Sequence, residues 1–167
     1  MTLTFHQIHN DDLPTVLSLF KEAAEKIAKM KIDHWQYWKN PPADKIKWVK
    51  DGINNNEYFF IKNTNHATIG MVRILNEDIL YWGQQQASAL YVHSLTVKEE
   101  YNGQGIGKLI LDTIEHQAKM KQCEYLRLDA DSKNPRLCNY YESLGFKKVG
   151  EKTLPISTYN LYQKEIL

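Results

Sequence analysis

The chain has 167 residues, of which 43% are hydrophobic and 25% are charged, and its formal net charge is +1. This length is typical of a single domain, and the composition argues against a disordered chain. A net charge so close to zero argues against a nucleic-acid-binding protein. No apolar stretch is long enough for a membrane span, and the N-terminus lacks the basic and apolar regions of a signal peptide. We therefore expect one soluble, cytoplasmic domain over 1–167, with no nucleic-acid or membrane partner.

The N-terminal half alternates between strand and helix patterns. Period-two alternation predicts strands, and apolar residues at helical spacing after a capping aspartate predict helices. In chain order these elements are a strand at 3–8, helices at about 12–30 and 43–51, and strands at 57–63 and 67–76. A loop is predicted at 77–87.

The C-terminal half predicts a strand–helix–strand unit followed by a further helix and two strands. These elements are a strand at 89–97, a helix at 107–122, a strand at 124–130, a helix at 134–145 that Gly145 closes, and strands at 146–151 and 161–166. A strand, a crossover helix and a second strand in one sheet predict a right-handed connection and a parallel pair. The two cysteines, Cys123 and Cys138, fit no metal motif, so we expect buried free thiols and no metal site.

A glycine-rich loop, YNGQGIGKL at 101–109, lies between a buried strand and a helix. Glycines allow close backbone approach, and the first helical turn offers unpaired N–H groups and partial positive charge, so this loop suits a phosphate. The nucleotide P-loop needs a serine or threonine after its lysine, but Leu109 follows Lys108 here. The dinucleotide fingerprint needs its third glycine one residue later than Gly107.

The loop fits a third pattern better. It resembles the signature [R/Q]-x-x-G-x-[G/A] of the GNAT family, the Gcn5-related N-acetyltransferases. Gly105 and Gly107 match its glycines, while Asn102 replaces the arginine or glutamine of the first position.

A second segment, NPRLCNYYESLGF, is similar to the family's N-x-x-x-x-x-x-Y-x-x-x-G-F segment. Its matching residues are Asn134, Tyr141, Gly145 and Phe146. Two motifs in the right order, on the right elements, identify the chain as a member of this family.

The resemblance implies a fold class as well as a function. The fold is a mixed α/β sheet, mostly antiparallel, with one splayed parallel pair formed by the fourth and fifth strands and about four flanking helices. The function implied is an acyl-coenzyme A-dependent N-acyltransferase that moves acetyl from acetyl-coenzyme A directly to a primary amine of a small molecule or peptide. The alternative is a non-catalytic coenzyme-binding sensor or interaction module.

The resemblance also implies which residues bind the coenzyme. Its pantetheine arm would enter the gap between the splayed strands and pair with the fourth strand around Leu95, Thr96 and Val97. The pyrophosphate would rest on the glycine loop. The implied loop contacts are Asn102, Gly103, Gln104, Gly105, Ile106, Gly107 and Lys108. Asn134 would cap the last helix, bind the coenzyme arm, or do both. Lys108 would add positive charge at the loop, or is simply a solvated lysine on the first turn of the helix.

For catalysis, the family motif makes Tyr141 the expected proton donor to the leaving thiolate, and Tyr141 would also contact the coenzyme. The base is open. The candidates are His93 on the fourth strand, Asp129 on the fifth, Glu77 or Asp78 in the preceding loop, and water.

The acceptor site of this fold is usually walled by the first two helices and the 77–87 loop. The aromatic residues of this region would either hold the amine or complete a core. They are Trp35, Tyr37, Trp38, Trp48, Tyr81 and Trp82. Strand pairing between subunits is common in the family and would give a homodimer.

Overall fold

The structure is a computed structural model that describes residues 1–167, and it contains seven strands and five α-helices. In chain order they are β1 (Thr4–Gln7), α1 (Leu13–Lys29), α2 (Ala43–Asn54), β2 (Tyr58–Lys62), β3 (Thr68–Leu75), α3 (Ile79–Trp82), β4 (Ala89–Val97), α4 (Ile106–Met120), β5 (Tyr125–Asp131), α5 (Pro135–Ser143), β6 (Lys147–Thr153) and β7 (Thr158–Glu165). No helix combines the length and the apolar character that crossing a bilayer requires.

All seven strands belong to one sheet, in the order β1-β2-β3-β4-β5-β7-β6. The pairs β1–β2, β2–β3, β5–β7 and β6–β7 are antiparallel, whereas β4 and β5 are parallel. The parallel register joins Ala89–Val92 to Tyr125–Leu128 and stops there, although β5 continues to Asp131 along β7. The predicted fold class, including its single parallel pair, is therefore confirmed.

The predicted loop at 77–87 is wrong in one respect, because it contains the short helix α3. Asp78 precedes this helix and its Oδ1 accepts a hydrogen bond from the N–H of Tyr81 at 3.2 Å. An aspartate in this position caps a helix, so the one-turn helix has a local cause in the sequence. Four residues are too few to show helical periodicity, and the pattern alone gives no sign of them.

The contacts of the chain group into two compact units. The first unit contains Met1–Arg73 and Ser94–Gly107, and the second contains Ile74–His93 and Lys108–Leu167. The single-domain assignment over 1–167 stays a prediction.

The first unit has an apolar core built around α1 and the hairpin β2–β3. Trp38 is buried and stacks on Phe20 with ring centroids 3.9 Å apart, and Trp35 meets Phe20 edge-on. Trp48 lies against the guanidinium of Arg73, which also forms a 2.8 Å ion pair with Glu57. Two of these aromatic residues, Trp35 and Trp38, therefore complete the core, and Trp48 covers the buried Arg73. Completing a core is one of the two roles expected for the aromatic residues of this region, and holding the amine is the other.

The second unit buries apolar side chains of α4, β5 and the segment after α5. These include Ile110, Ile114, Leu126, Leu128 and Phe146. Arg127 is buried as well, with its guanidinium between Trp82 at 4.7 Å and Tyr125 at 4.8 Å. Both cysteines are buried free thiols, as predicted.

Candidate active site

The glycine-rich loop, residues 102–107, leads from the turn Glu99–Tyr101 into α4. Residues 102–105 are exposed, and Gly103 and Gly105 have left-handed φ angles of 76° and 72°. A Cβ atom added at either glycine would meet nothing within 4 Å, so open space lies over the backbone. The backbone conformation needs glycine, and the space beside it is the kind that a ligand fills.

Strand β4 approaches this loop through Leu95, Thr96 and Val97. Leu95 and Val97 are half-buried, while Thr96 is buried and its Oγ1 has no hydrogen-bond partner. Just before them, Ser94 has a left-handed φ of 56°, which interrupts regular strand geometry. The predicted pantetheine segment therefore directly follows a local irregularity in the strand.

Two lysines bring positive charge to the start of α4. Lys108 is exposed, and its Nζ contacts Asp112 Oδ2 at 2.5 Å, which raises the pKa of the lysine. The second lysine was not predicted. Lys26 on α1 donates from Nζ to the Oδ1 of Asn102 at 2.7 Å. A cation therefore sits beside the one position where the loop departs from the family signature.

Asn134 and Tyr141 are both buried in the second unit. Asn134 caps α5, because its Oδ1 accepts a hydrogen bond from the N–H of Leu137 at 3.1 Å, and the predicted cap is confirmed. Tyr141 packs against Phe146 and Tyr162, whereas its neighbour Tyr140 is 37% exposed. Burial raises the pKa of Tyr141, so its phenol keeps its proton at neutral pH.

Three candidates for the base meet in one buried cluster. The Nε2 atom of His93 lies 2.5 Å from Asp78 Oδ2, and its Nδ1 atom lies 3.2 Å from Asp129 Oδ2. All three side chains are less than 10% exposed. We call this the carboxylate–imidazole cluster. Tyr81 covers it, with its ring centroid 4.9 Å from that of His93.

The two carboxylates of the carboxylate–imidazole cluster are held differently. Asp78 is fixed at both oxygens, since Oδ1 caps α3 and Oδ2 contacts His93. Asp129 Oδ2 is within ion-pair distance of His93, yet it is buried with no hydrogen bond of adequate direction. Burial raises the pKa of Asp129 to about 7, while the charge of His93 opposes the rise. Asp129 is therefore an acid that titrates near neutrality.

The same three residues each offer one metal-ligand atom, and these atoms lie within 4.8 Å of one another. A tetrahedral cation between His93 and Asp78 would need about 2 Å to each ligand atom, hence a separation of about 3.3 Å between the two ligand atoms. The observed 2.5 Å is a hydrogen-bond distance. The arrangement therefore describes a shared proton better than a bound metal ion.

Sequence reasoning named His93, Asp78 and Asp129 separately but did not join them. Each comes from a different segment, and only the pairing of β4 with β5 and the cap of α3 bring them together. Glu77, offered with Asp78 as one alternative, is exposed. The cap at Asp78 was the available signal, because an aspartate followed by apolar residues can start a helix.

Comparison with known proteins identifies the family of this chain. The model of the acetyltransferase (GNAT) family matches residues 20–146. The chain is a member of the GNAT family. The predicted family is thereby confirmed, and the match extends well beyond the two C-terminal motifs.

Two curated proteins and one solved structure illustrate how this GNAT chain relates to others. It is 29% identical over 90 residues to the uncharacterized N-acetyltransferase YesJ of Bacillus subtilis, a match that covers 53% of this chain and 48% of YesJ. It is 37% identical over 62 residues to the thialysine N-epsilon-acetyltransferase of Bos taurus, covering 37% of this chain and 36% of that enzyme. The matched region thus spans about half or less of these relatives.

The solved structure is a GNAT-family acetyltransferase from Listeria monocytogenes. Its TM-score with this chain is 0.77 at 20% identity, and the alignment covers 98% of this chain and 94% of that one. At this identity the likeness establishes the fold, and it extends over nearly the whole chain.

Proposed function

We propose that the protein is an N-acetyltransferase that uses acetyl-coenzyme A as the acetyl donor and a primary amine as the acceptor. The observation that carries this proposal is the open, exposed glycine loop with positive φ at Gly103 and Gly105, in a chain that belongs to the GNAT family. The unpaired N–H groups of the first turn of α4 would hold the pyrophosphate.

The fit of the loop to the coenzyme rests on its shape and its charge. A Cβ at Gly105 would fill the space that the pyrophosphate needs, and none is present. Lys26, held by Asn102, supplies a cation to this loop in place of the missing arginine of the signature. The backbone of Leu95–Val97 would pair with the amides of the pantetheine arm, as strand addition does elsewhere.

The chemistry asks two things of the protein. The attacking amine must lose a proton as the C–N bond forms, and the departing sulfur must gain one. Tyr141 is the proposed donor to sulfur, because its buried phenol stays protonated at neutral pH. Burial raises the pKa of Asp129 to about 7, and a buried carboxyl of this kind is consistent with catalysis and exceeds what coenzyme binding alone needs.

The acceptor is proposed only as a primary amine. One matched relative is named for acetylation of the ε-nitrogen of thialysine, which makes thialysine and lysine the first amines to try. Spermidine and a lysine-containing peptide extend the set to a polyamine and a macromolecular acceptor.

The test begins with calorimetric titration of the protein with acetyl-coenzyme A, with ATP and NAD as controls. We expect binding of acetyl-coenzyme A alone, followed by amine-dependent release of the coenzyme A thiol. Binding of ATP or NAD in its place would refute the loop assignment. Binding of the coenzyme with no transfer to any of these amines would favour the non-catalytic sensor.

A further inference from the structure

Each ring nitrogen of His93 lies close to a carboxylate: Nε2 to that of Asp78 and Nδ1 to that of Asp129. A neutral imidazole carries one N–H and one lone pair, so one nitrogen would direct its lone pair at a carboxylate oxygen. The imidazolium avoids this repulsion, because it donates an N–H to Asp78 and presents its positive charge to both carboxylates. In this state His93 has no nitrogen left that could accept a proton from a substrate.

Asp129 is the member of the carboxylate–imidazole cluster that keeps an available lone pair. Its Oδ2 atom is buried, lies 3.2 Å from the Nδ1 of His93 and has no hydrogen-bond partner. Three charged groups of the second unit act on its pKa: His93 on β4 lowers it, and Asp78 at the start of α3 and Asp131 on β5 raise it. The charge of Asp129 in turn raises the pKa of Tyr141 on α5 and of Tyr159 on β7.

On the basis of the proposed acetyl transfer, we propose that Asp129 is the catalytic residue that takes the proton from the acceptor amine, and that His93 and Asp78 are positioning residues. Asp78 orients the imidazolium ring of His93 through a hydrogen bond. The positive charge of the ring in turn stabilises the negative charge of the buried Asp129. His93, a leading candidate from sequence, would then never exchange its proton during the reaction.

The proton count of this assignment balances. The C–N bond forms and the thioester C–S bond breaks, while Asp129 receives one proton from nitrogen and Tyr141 gives one to sulfur. Tyr141 is near enough for the charge of Asp129 to raise its pKa. A proton passed from the Asp129 carboxylic acid to the Tyr141 phenolate restores both groups. With an amine that arrives neutral, a turnover then needs no net proton from solvent.

The pH dependence of kcat distinguishes Asp129 from His93. In the wild type, we expect kcat to fall as the pH drops through about 7, because a protonated Asp129 cannot act as a base. Asp129→Asn should lower kcat by about 100-fold or more and remove this acidic limb. His93→Gln should keep the limb but move it to higher pH, because the positive charge that lowers the pKa of Asp129 is gone.

The result that overturns the proposal is equally specific. If His93→Gln loses as much activity as Asp129→Asn at every pH, and Asp129→Asn keeps the acidic limb, then His93 is the base. Titration of both variants with coenzyme A shows whether they are folded, and we expect affinities within about twofold of the wild type.

A second readout does not depend on turnover. Nitrogen-15 NMR of the histidine rings at pH 8 should show both nitrogens of His93 protonated in the wild type, and Asp78→Asn should lower the protonated fraction. A neutral His93 ring in an enzyme that transfers acetyl normally would overturn the positioning role alone. A doubly protonated ring in a protein that acetylates none of the amines would overturn the acetyl transfer, and with it the catalytic role of Asp129.

Discussion

The glycine loop of the first unit and the carboxylate–imidazole cluster of the second are built in opposite ways. The loop is exposed and relies on backbone conformation, with positive φ at two glycines and no side chain over them. The cluster is buried and relies on side chains that fix one another. From this difference we infer that the proposed coenzyme binding and proton transfer are separable, so substitutions in the loop should change coenzyme affinity and substitutions near the cluster should change kcat.

The largest effect is expected from Gly105→Val. A β-branched residue disfavours the φ of 72°, and its side chain would occupy the space proposed for the pyrophosphate. We expect coenzyme A affinity to fall by about 100-fold or more in calorimetric titration. Gly145→Val is the matched control, since Gly145 also has positive φ, at 94°, but lies after α5. Loss of stability without loss of affinity is expected there, and equal losses of affinity would mean that strain alone explains both.

Tyr141→Phe should affect the rate and spare the binding. The substitution removes only the phenol proton donor, so we expect kcat to fall by about 100-fold while coenzyme A affinity changes by less than about twofold. Tyr140→Phe provides the comparison, because Tyr140 is adjacent and more exposed. The proposed donor would be wrong if steady-state kinetics gave the same kcat for wild type and Tyr141→Phe.

Asp129→Asn should also change how stability depends on pH. The folded protein keeps the Asp129 proton up to a pKa of about 7, whereas an unfolded aspartate loses it near about 4. The folded state therefore binds more protons between these values, and wild-type stability is lost as the pH rises through this window.

Because Asp129→Asn lacks this loss, the free energy of unfolding that it gains over the wild type in urea should grow by about 3 kcal/mol between pH 4 and pH 7. The exposed Asp11, changed to Asn, serves as the control, with an offset that stays constant. A constant offset for Asp129→Asn as well would show that Asp129 is already ionised in the fold at low pH.

The smallest effects are expected from the two lysines near the glycine loop. Lys26→Ala should weaken coenzyme A binding by about fivefold, because Lys26 approaches the loop through Asn102. Lys108→Ala should weaken it by less than about twofold, since Asp112 already neutralises an exposed Lys108. The reverse order in titrations at one salt concentration would assign the pyrophosphate contact to Lys108.

The sequence predicted the strands and long helices well because their hydrophobic periods extend over enough residues. The bounds of β4 agree with the prediction, and α1 agrees within one residue at each end. The last strand in the chain, β7, was placed too late, at 161–166, because the polar residues Thr158 and Asn160 on either side of Tyr159 hide the start of a strand at Thr158.

The candidate site was predictable in part. The glycine loop and the α5 motif lie on contiguous sequence, so their residues could be named. The carboxylate–imidazole cluster is assembled from three separate segments, and spacing along the chain contains no information about that contact. The sequence also could not predict whether Trp38 and Trp48 pack in a core or line a pocket, because an aromatic residue has the same sequence pattern in both places.

The double attachment of Asp78 has a practical consequence. The same carboxylate starts α3 and holds His93, so the order of this one-turn helix is linked to the charge state of the ring. Trp82 ends that helix and lies over Arg127, which makes its indole fluorescence sensitive to any shift of the turn. The protein thus contains an intrinsic optical reporter, and the part of the tryptophan emission that Trp82→Phe removes would follow the ionisation of the cluster with pH without any label.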